Sequence, residues 1–424
     1  MGRTSRHGSP KATVEILYVS AVASTGQFDA MKAARRPGAQ EVTYGMIESG
    51  HKFHSLIQAG LTSRPDRNVL SLVGRSLHPS FYRGLYWRRR REVISENLTI
   101  DHVAMPNVRV LKQVWAMVGF FVGSLRWRVQ TRHAGQRVLI MDAAYISALP
   151  AVLLALTGSK VKRVAIFCDV YSHMANVSDS LTRGVNVRAL LGRAVSWLYR
   201  RLNGFVLLTE QMNPIVNRAG KPHLVMEGIV DGSMISHENL LSSKTAHPTV
   251  MYTGALRKQY GLDWLVDGFR DYDNPDARLV IYGAGDFSGE IQDAAAEDSR
   301  ICYGGTLPNA DVVRKQEQAW LLINPRPTDQ EFTRLSFPSK VMEYMVSGTP
   351  VLTTRLPGMP DEYLDYVYTI EGSGSRAVTQ ALQERLGLPL TQLHAQGEVN
   401  KAFVLERKNH VAQADRIIAF ARSC

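Results

Sequence analysis

The stretch LLINPRPTDQEFTRLSFPSKVMEYMVSGTPVLTTR (321–355) decides the fold. An apolar run ends at Asn324-Pro325, and a polar loop follows. Ser336 to Ser339 then lead into a helical pattern, with Pro338 beside the first turn, where its missing N–H is no loss. The pattern closes at Ser347-Gly348-Thr349-Pro350, a glycine and a proline that end a helix, and Val351 opens another apolar run. Strand, loop, helix, sharp turn and strand in this order form one unit of a parallel sheet.

Working outward, the same alternation spans the C-terminal half. PTVMYTG (248–254), ARLVIYGAG (277–285), SRICYGG (299–305), TPVLTTR (349–355) and DYVYTIE (365–371) read as strands, with helices expected at 261–270, 288–297, 309–318 and 339–347. The N-terminal half offers strands at 14–21, 42–47, 67–73, 137–143, 163–169 and 203–209, with helical patterns at 109–130 and 186–201. Two doubly wound α/β domains follow, each covered on both faces. We expect a disordered basic tail at 1–12, one domain at 13–235, a second at 236–405 and a last helix at 406–424 crossing back to the first. The polar, aperiodic stretch 231–247 reads as the linker. Ligands of such sheets bind beyond the carboxyl ends of the strands, so a cleft between two facing domains is the expected site.

With 424 residues, 45% of them hydrophobic, there is enough material for two cores. Cys168, Cys302 and Cys424 stand far apart, which argues against a disulfide framework or a zinc site and for a reducing cytosol. No apolar run reaches the length of a membrane span. Charge is uneven. Residues 1–240 hold 31 Lys and Arg against 15 Asp and Glu, and the remainder hold 19 against 23. A basic first half seeks phosphate, as anionic lipid, a polyprenyl diphosphate or nucleic acid, or it is simply a solvated surface. No nucleic-acid-binding motif accompanies the charge, so no nucleic-acid partner is expected.

Three stretches carry chemistry. In YTGALRKQYG (252–261), Gly254 permits a tight turn, and Arg257 and Lys258 precede a helix; a diphosphate suits two cations and a helix N-terminus, and an exposed basic turn is the alternative. IYGAGDFSGE (281–290) has the spacing GxGxxxG instead of GxGxxG and lies in mid-domain, so Gly283 reads as part of a strand-to-helix turn whose backbone shapes a nucleotide pocket. In SFPSKVMEYM (336–345), Ser339, Lys340 and free backbone N–H groups make an anion site. Glu343, three residues on, shares a face with Lys340, and its carboxylate accepts two hydroxyls, as a ribose requires. An intrahelical ion pair is the competing reading.

These residues resemble bacterial glycosyltransferases of the GT-B fold, the glycosyltransferase group 1 or family 4-like type that builds exopolysaccharide, O-antigen or capsule. YTGALRKQYGLDWLVDGF, LVIYGAGD, YGGTLPNADV and FPSKVMEYMVSGTPVLTTRLPGMPDEY carry the likeness across most of 250–370. The resemblance implies two Rossmann-like domains facing a cleft. Arg257, Lys258 and Lys340 take the donor diphosphate, Glu343 takes the ribose, and Tyr303 to Leu307, with Gly305, border the base. The family's Glu-x7-Glu element places its first glutamate at 335, where this chain has Leu335, with Glu331 and Asp329 out of register. That departure leaves the donor sugar and the stereochemistry open.

In the first half, Asp169 and Asp142 end apolar strands and are the candidates for a carboxylate base, Asp169 first. A helix cap or buried salt bridge is the alternative for each. Tyr145, His173 and Glu210 are weaker lining candidates. VLKQVWAMVGFFVGSLRWRV (110–129) is either an interfacial helix or a buried one, and RGLYWRRRRE (83–92) either a solvated loop or a lipid-facing patch.

The expected function is sugar transfer from a UDP- or GDP-sugar to a polyprenyl-diphosphate-linked saccharide, at the cytoplasmic face of the inner membrane, with no resident cofactor or metal. The rivals are a nucleotide-sugar epimerase of the same build and a degenerate transferase that only binds or scaffolds.

Overall fold

The computed structural model describes residues 13–33, 41–74, 86–108, 111–143, 145, 148–168, 193, 195–230 and 238–424. Asp169, His173, the basic tail and part of the linker and of the 83–92 cluster lie outside them. The chain divides into two units. One holds residues 1–207, 212–225 and 413–424, the other 208–211 and 226–412.

In the first unit the elements run β1 (Val14–Ser20), α1 (Thr25–Ala33), α2 (Glu41–Thr62), β2 (Arg67–Val73), β3 (Tyr86–Trp87), β4 (Arg90–Ser95), β5 (Leu98–His102), β6 (Met105–Pro106), α3 (Leu111–Gln130), β7 (Gln136–Asp142), α4 (Leu149–Ala155), β8 (Lys162–Phe167), β9 (Gly204–Leu207), α5 (Asn213–Val216) and β10 (His223–Val225). The main sheet has the order β10-β9-β8-β7-β1-β2-β5-β4. All its pairs are parallel except β4 against β5. Strand β1 is almost wholly buried, as a continuous apolar strand at the centre of a two-faced sheet should be.

Two expectations need correction. Residues 42–47, read as a strand for their valine, threonine and tyrosine, begin helix α2. Tertiary packing overrides that short propensity, because His54, Ile57, Gln58 and Leu61 repeat at helical spacing and are all buried. Second, β4 and β5 went unread: in RREVIS five of six residues are exposed, so this edge strand has no buried face to show as alternation.

Helix α3 resolves its two alternatives by halves. Lys112, Ala116, Phe120, Ser124 and Trp127 are buried. Gly119 lets the helix approach closely, since a Cβ there would meet Val103 Cγ1 at 2.1 Å. The opposite side exposes Leu111, Val114, Trp115, Val118, Val122, Leu125 and Val129. Among the described residues no helix is long and apolar enough to cross a membrane.

The second unit comprises β11 (Thr249–Thr253), α6 (Leu262–Arg270), β12 (Arg278–Tyr282), α7 (Ser288–Glu297), β13 (Ile301–Tyr303), α8 (Asn309–Gln318), β14 (Leu321–Asn324), α9 (Glu331–Leu335), α10 (Ser339–Val346), β15 (Val351–Thr354), β16 (Tyr368–Ile370), α11 (Ser375–Leu386) and α12 (Leu390–Arg407). Its sheet is parallel throughout, in the order β13-β12-β11-β14-β15-β16. One core joins the sheet to α6, α7 and α11 through Leu265, Phe269, Ile291 and Leu382. Another joins it to α10 and α12 through Val341, Met345 and Phe403.

The C-terminal stretch holds two helices: α12 ends at Arg407, and the last, α13, spans His410–Ser423. At the break, buried Lys408 pairs with Glu227 at 2.6 Å and with Glu362 at 2.5 Å. Beyond it, Asp415 of α13 accepts from Arg67, which opens β2, at 2.5 Å and from Arg64, in the turn before it, at 2.6 Å.

Candidate functional site

Counted from its first strand, the second sheet has the order 3-2-1-4-5-6, with its switch point between β11 and β14. Their ladder pairs only Val250 with Leu321 and Met251 with Leu322. Beyond it the strands part, and the backbone of Thr253 finds another partner: its N–H donates to Tyr344 Oη at 2.8 Å, and that hydroxyl donates to the Thr253 carbonyl at 2.9 Å. Tyr344 is fully buried, and burial pushes its phenol far above the ordinary value. One side chain thus fixes α10 beneath the end of β11.

The loops beyond these strands are bound to one another through backbone. Gly254 N–H donates to the Tyr282 carbonyl at 3.0 Å, Leu256 N–H to Ala284 at 2.9 Å and Gly283 N–H to Gly305 at 2.8 Å. Tyr303 Oη donates to the Gly283 carbonyl at 3.0 Å. Gly283 has φ +142°, and a Cβ there would meet the Gly254 carbonyl oxygen at 1.8 Å; only glycine fits. The GxGxxxG stretch is therefore a backbone clasp, which brings Gly254, Gly283, Tyr303 and Gly305 together.

Helix α10 starts at Ser339, after Pro338, with no side chain capping its first N–H groups. Ser339 is exposed. Lys340 stands beside the first loop, its Cε 3.7 Å from the Cβ position of Gly254. Its Nζ donates to both oxygens of Glu343, at 3.0 and 2.9 Å. The ion pair of the competing reading is thus present, and it sits at the strand ends, with the two side chains 32% and 19% exposed.

Three further cations stand here. Arg257 is half-buried and Lys258 exposed; among the described residues neither side chain has a hydrogen-bond or ion-pair partner. Arg326, just past β14, lies over the ring of Tyr260 at 4.4 Å, with its Nε unpartnered. It also bears on Tyr252, whose phenol burial raises to about 12 while the guanidinium pulls the other way. This arginine lies within the 321–355 stretch, whose local pattern assigns it no role. Its signal was its place at the end of β14, across the switch point from Gly254.

In the first unit, Asp142 closes β7, next to β1 at that sheet's switch point. It is nearly buried, with Oδ2 3.4 Å from His54 Nε2. Tyr145 is buried edge-on against Phe120 and over Gly74. Glu210 is exposed in a short 3-10 turn that groups with the second unit. Leu335 ends α9, which Glu331 begins, after exposed Asp329. Among the described residues no cluster of three or more His, Cys, Asp or Glu is placed to hold a metal.

A family model described as glycosyl transferases group 1 matches residues 247–387. That span contains β11 to α11 and every residue named above at the second sheet's strand ends. The second unit carries a glycosyl transferases group 1 domain, and the chain has the GT-B fold. The chain is similar in fold to sucrose-phosphate synthase from Thermosynechococcus elongatus, with TM-score 0.59, 13% identity, and 96% of this chain and 98% of that one covered. A glycosyltransferase from Rickettsia africae gives TM-score 0.59 at 13% identity, with 97% and 98% covered. Anabaena HepE, in complex with UDP, gives TM-score 0.57 at 12% identity, with 97% and 100% covered. At such identity the likeness is one of fold, that of two Rossmann-like domains. No curated protein matches the chain in sequence.

Proposed function

We propose that this glycosyltransferase moves a sugar from a nucleoside-diphosphate sugar, UDP- or GDP-linked, to a polyprenyl-diphosphate-linked saccharide at the cytoplasmic face of a membrane, in bacterial surface-polysaccharide synthesis. The observation that carries it is the crowding of Arg257, Lys258, Arg326 and the Lys340–Glu343 pair at the second sheet's switch point, within a group 1 domain. Four cations against one carboxylate suit a diphosphate and a ribose. HepE, similar in fold, is described with UDP and with UDP-glucose, which supports a nucleotide donor.

The chemistry follows from charge. As the bond from the anomeric carbon to the diphosphate breaks, negative charge grows on the departing phosphate. Arg257, Lys258 and Lys340 stabilise that growing charge more than they stabilise the substrate. The anomeric carbon gains oxocarbenium character, and the acceptor hydroxyl loses its proton to a carboxylate of the first unit. Asp142 and Asp169 are the candidates.

A membrane-borne acceptor is supported by α3. Its exposed face runs from Leu111 to Leu125 without a charge, and the exposed Arg88 to Arg91 leave β3, which pairs with β6 beside it. Apolar stripe and neighbouring cations together suit an anionic bilayer surface.

The test is a transfer assay with UDP- and GDP-hexoses and polyprenyl-diphosphate saccharides, comparing wild type with Lys340→Ala and Glu343→Ala. Product formation that falls in both variants supports the reading. Nucleotide binding without transfer to any acceptor would favour a scaffold, and interconversion of UDP-sugars without transfer would favour an epimerase.

A further inference from the structure

A cavity of about 610 Å³ opens at the amino ends of β1 and β2, between the turn that leads into β2 and helix α13. Its lining belongs wholly to the first unit. Val14 and Arg67, the first residues of β1 and β2, stand opposite each other. The cavity therefore lies a strand length, about 20 Å, from the carboxyl ends where Asp142 closes β7. Its volume falls in the range of small-molecule sites.

Three arginines line it. Arg67 is 7% exposed. Its Nη2 donates to Asp415 Oδ1 at 2.5 Å, while its Nε and Nη1 are buried without a hydrogen-bond partner. Arg64 donates to the same carboxylate through Nη2 at 2.6 Å. Arg422 lies two turns beyond Asp415 on the same face of α13 and is exposed; among the described residues its side chain has no hydrogen-bond or ion-pair partner. Burial raises the Asp415 carboxyl, but the hydrogen bonds from Arg64 and Arg67 outweigh it and hold the group below its ordinary value, so it is ionised at neutral pH. With Asp66, two carboxylates meet three guanidinium groups, and the surplus is positive. The clamp on Asp415 by itself docks α13 against β2. It uses neither Arg422 nor the two remaining donor atoms of Arg67. Unpartnered buried donors on a charged group are costly, and where they line a cavity they invite an acceptor from solution.

We propose that this cavity binds a phosphate monoester, free or as a lipid headgroup, through Arg64, Arg67 and Arg422. A phosphate offers three oxygens to three guanidinium groups, and the planar fork of arginine matches two of them at once. Pro65, Ile418 and Ala419 supply an apolar wall for the organic body. The site is independent of the donor site of the second unit and of the strand ends that carry Asp142. A ligand that bridges α13 and the turn before β2 ties the last helix to the first sheet. Binding the folded chain alone, it raises stability by mass action.

The experiment titrates the whole protein with inorganic phosphate and with glycerol 3-phosphate, by calorimetry and by melting temperature, against sodium chloride at matched ionic strength. Wild type should bind both phosphates and melt higher as they are added, and chloride should not reproduce the rise. Arg422→Ala and Arg64→Ala, at exposed positions, should each weaken binding about 10-fold. Arg67→Lys keeps the charge and loses the fork, and should weaken it too; if that variant does not fold, the two exposed arginines carry the test. Lys340→Ala, in the second unit, should leave this binding in place, which separates it from phosphate held at the proposed donor site. Phosphatidic acid vesicles separate the two sources: vesicles captured by wild type and not by Arg422→Ala, with no binding of the soluble anions, assign the phosphate to a lipid headgroup. Equal shifts with phosphate and chloride overturn the proposal, as does binding lost in Lys340→Ala and unchanged in Arg422→Ala, or no binding of any of these probes. Arg64, Arg67 and Asp415 would then be a clamp on α13 and nothing more.

Discussion

Lys340 holds Glu343 through both carboxylate oxygens, at 3.0 and 2.9 Å, one turn from where Tyr344 pins the helix to the end of β11. The pair is partly exposed, so its net contribution to stability is about 0–1 kcal/mol. Its position matters more. On the proposed reading, a diphosphate near Lys340 would compete for the ammonium and leave Glu343 to accept ribose hydroxyls. Lys340→Ala and Glu343→Ala should each weaken nucleotide binding about 10- to 100-fold and leave the melting temperature within a few degrees of wild type. Calorimetric titration and thermal unfolding of the same samples separate the two effects.

Tyr344→Phe should behave in the opposite way. It removes the hydroxyl that satisfies both the N–H and the carbonyl of Thr253. Leaving a buried backbone donor unpaired costs about 1–3 kcal/mol. Urea unfolding should show that loss, with a smaller fall in nucleotide affinity as α10 shifts.

Gly283→Ala should abolish nucleotide binding more completely than either charge substitution. Its Cβ would collide with the Gly254 carbonyl, and φ +142° disfavours any side chain. Gly289, with nothing within 4 Å of its Cβ position, is the control: Gly289→Ala should bind nucleotide normally.

Lys244 gives a pH signature. Burial lowers its ammonium to about 7, from 10.5. Its Nζ donates to the Ala319 carbonyl at 2.8 Å and to Thr349 Oγ1 at 2.9 Å. Between about pH 7 and 10.5 the unfolded chain holds a proton on Lys244 that the folded chain does not. Stability contributed by this group therefore rises with pH through that window and is flat below it. Denaturant unfolding at pH 7 and pH 9 should show a rise in wild type that is reduced in Lys244→Met. An equal rise in both would assign it elsewhere.

The exposed stripe of α3 is tested with Trp115→Glu and Val118→Glu. Both residues are more than half exposed, so folding should be unaffected. Co-sedimentation with phosphatidylglycerol vesicles should fall in both and should weaken with salt. If the wild type ignores vesicles and instead dimerises, with the glutamates breaking the dimer, the stripe covers a second copy.

Much of the second unit was legible because strand, turn glycine and amphipathic helix repeat within short windows. PTVMYTG, LVIYG and LLINP each pair a buried run with a marked end. The first unit was less so. VTYGMI looked extended over six residues, but the burial of His54, Ile57 and Leu61 at helical spacing decided for a helix. Tyr18 and His54 lie 36 positions apart, and no local pattern marks a pair made by tertiary packing. Arg326 was visible, but its role depends on which strands adjoin, and that is set by sheet order.

The most direct measurement of the central claim is calorimetric titration of the whole protein with UDP and GDP, repeated on Arg257→Ala and Lys340→Ala. The account predicts one-to-one binding of one of the two nucleotides, weakened in both variants. Binding that survives both substitutions unchanged, or no binding of either nucleotide by the wild type, would contradict a donor site at the switch point of the second sheet.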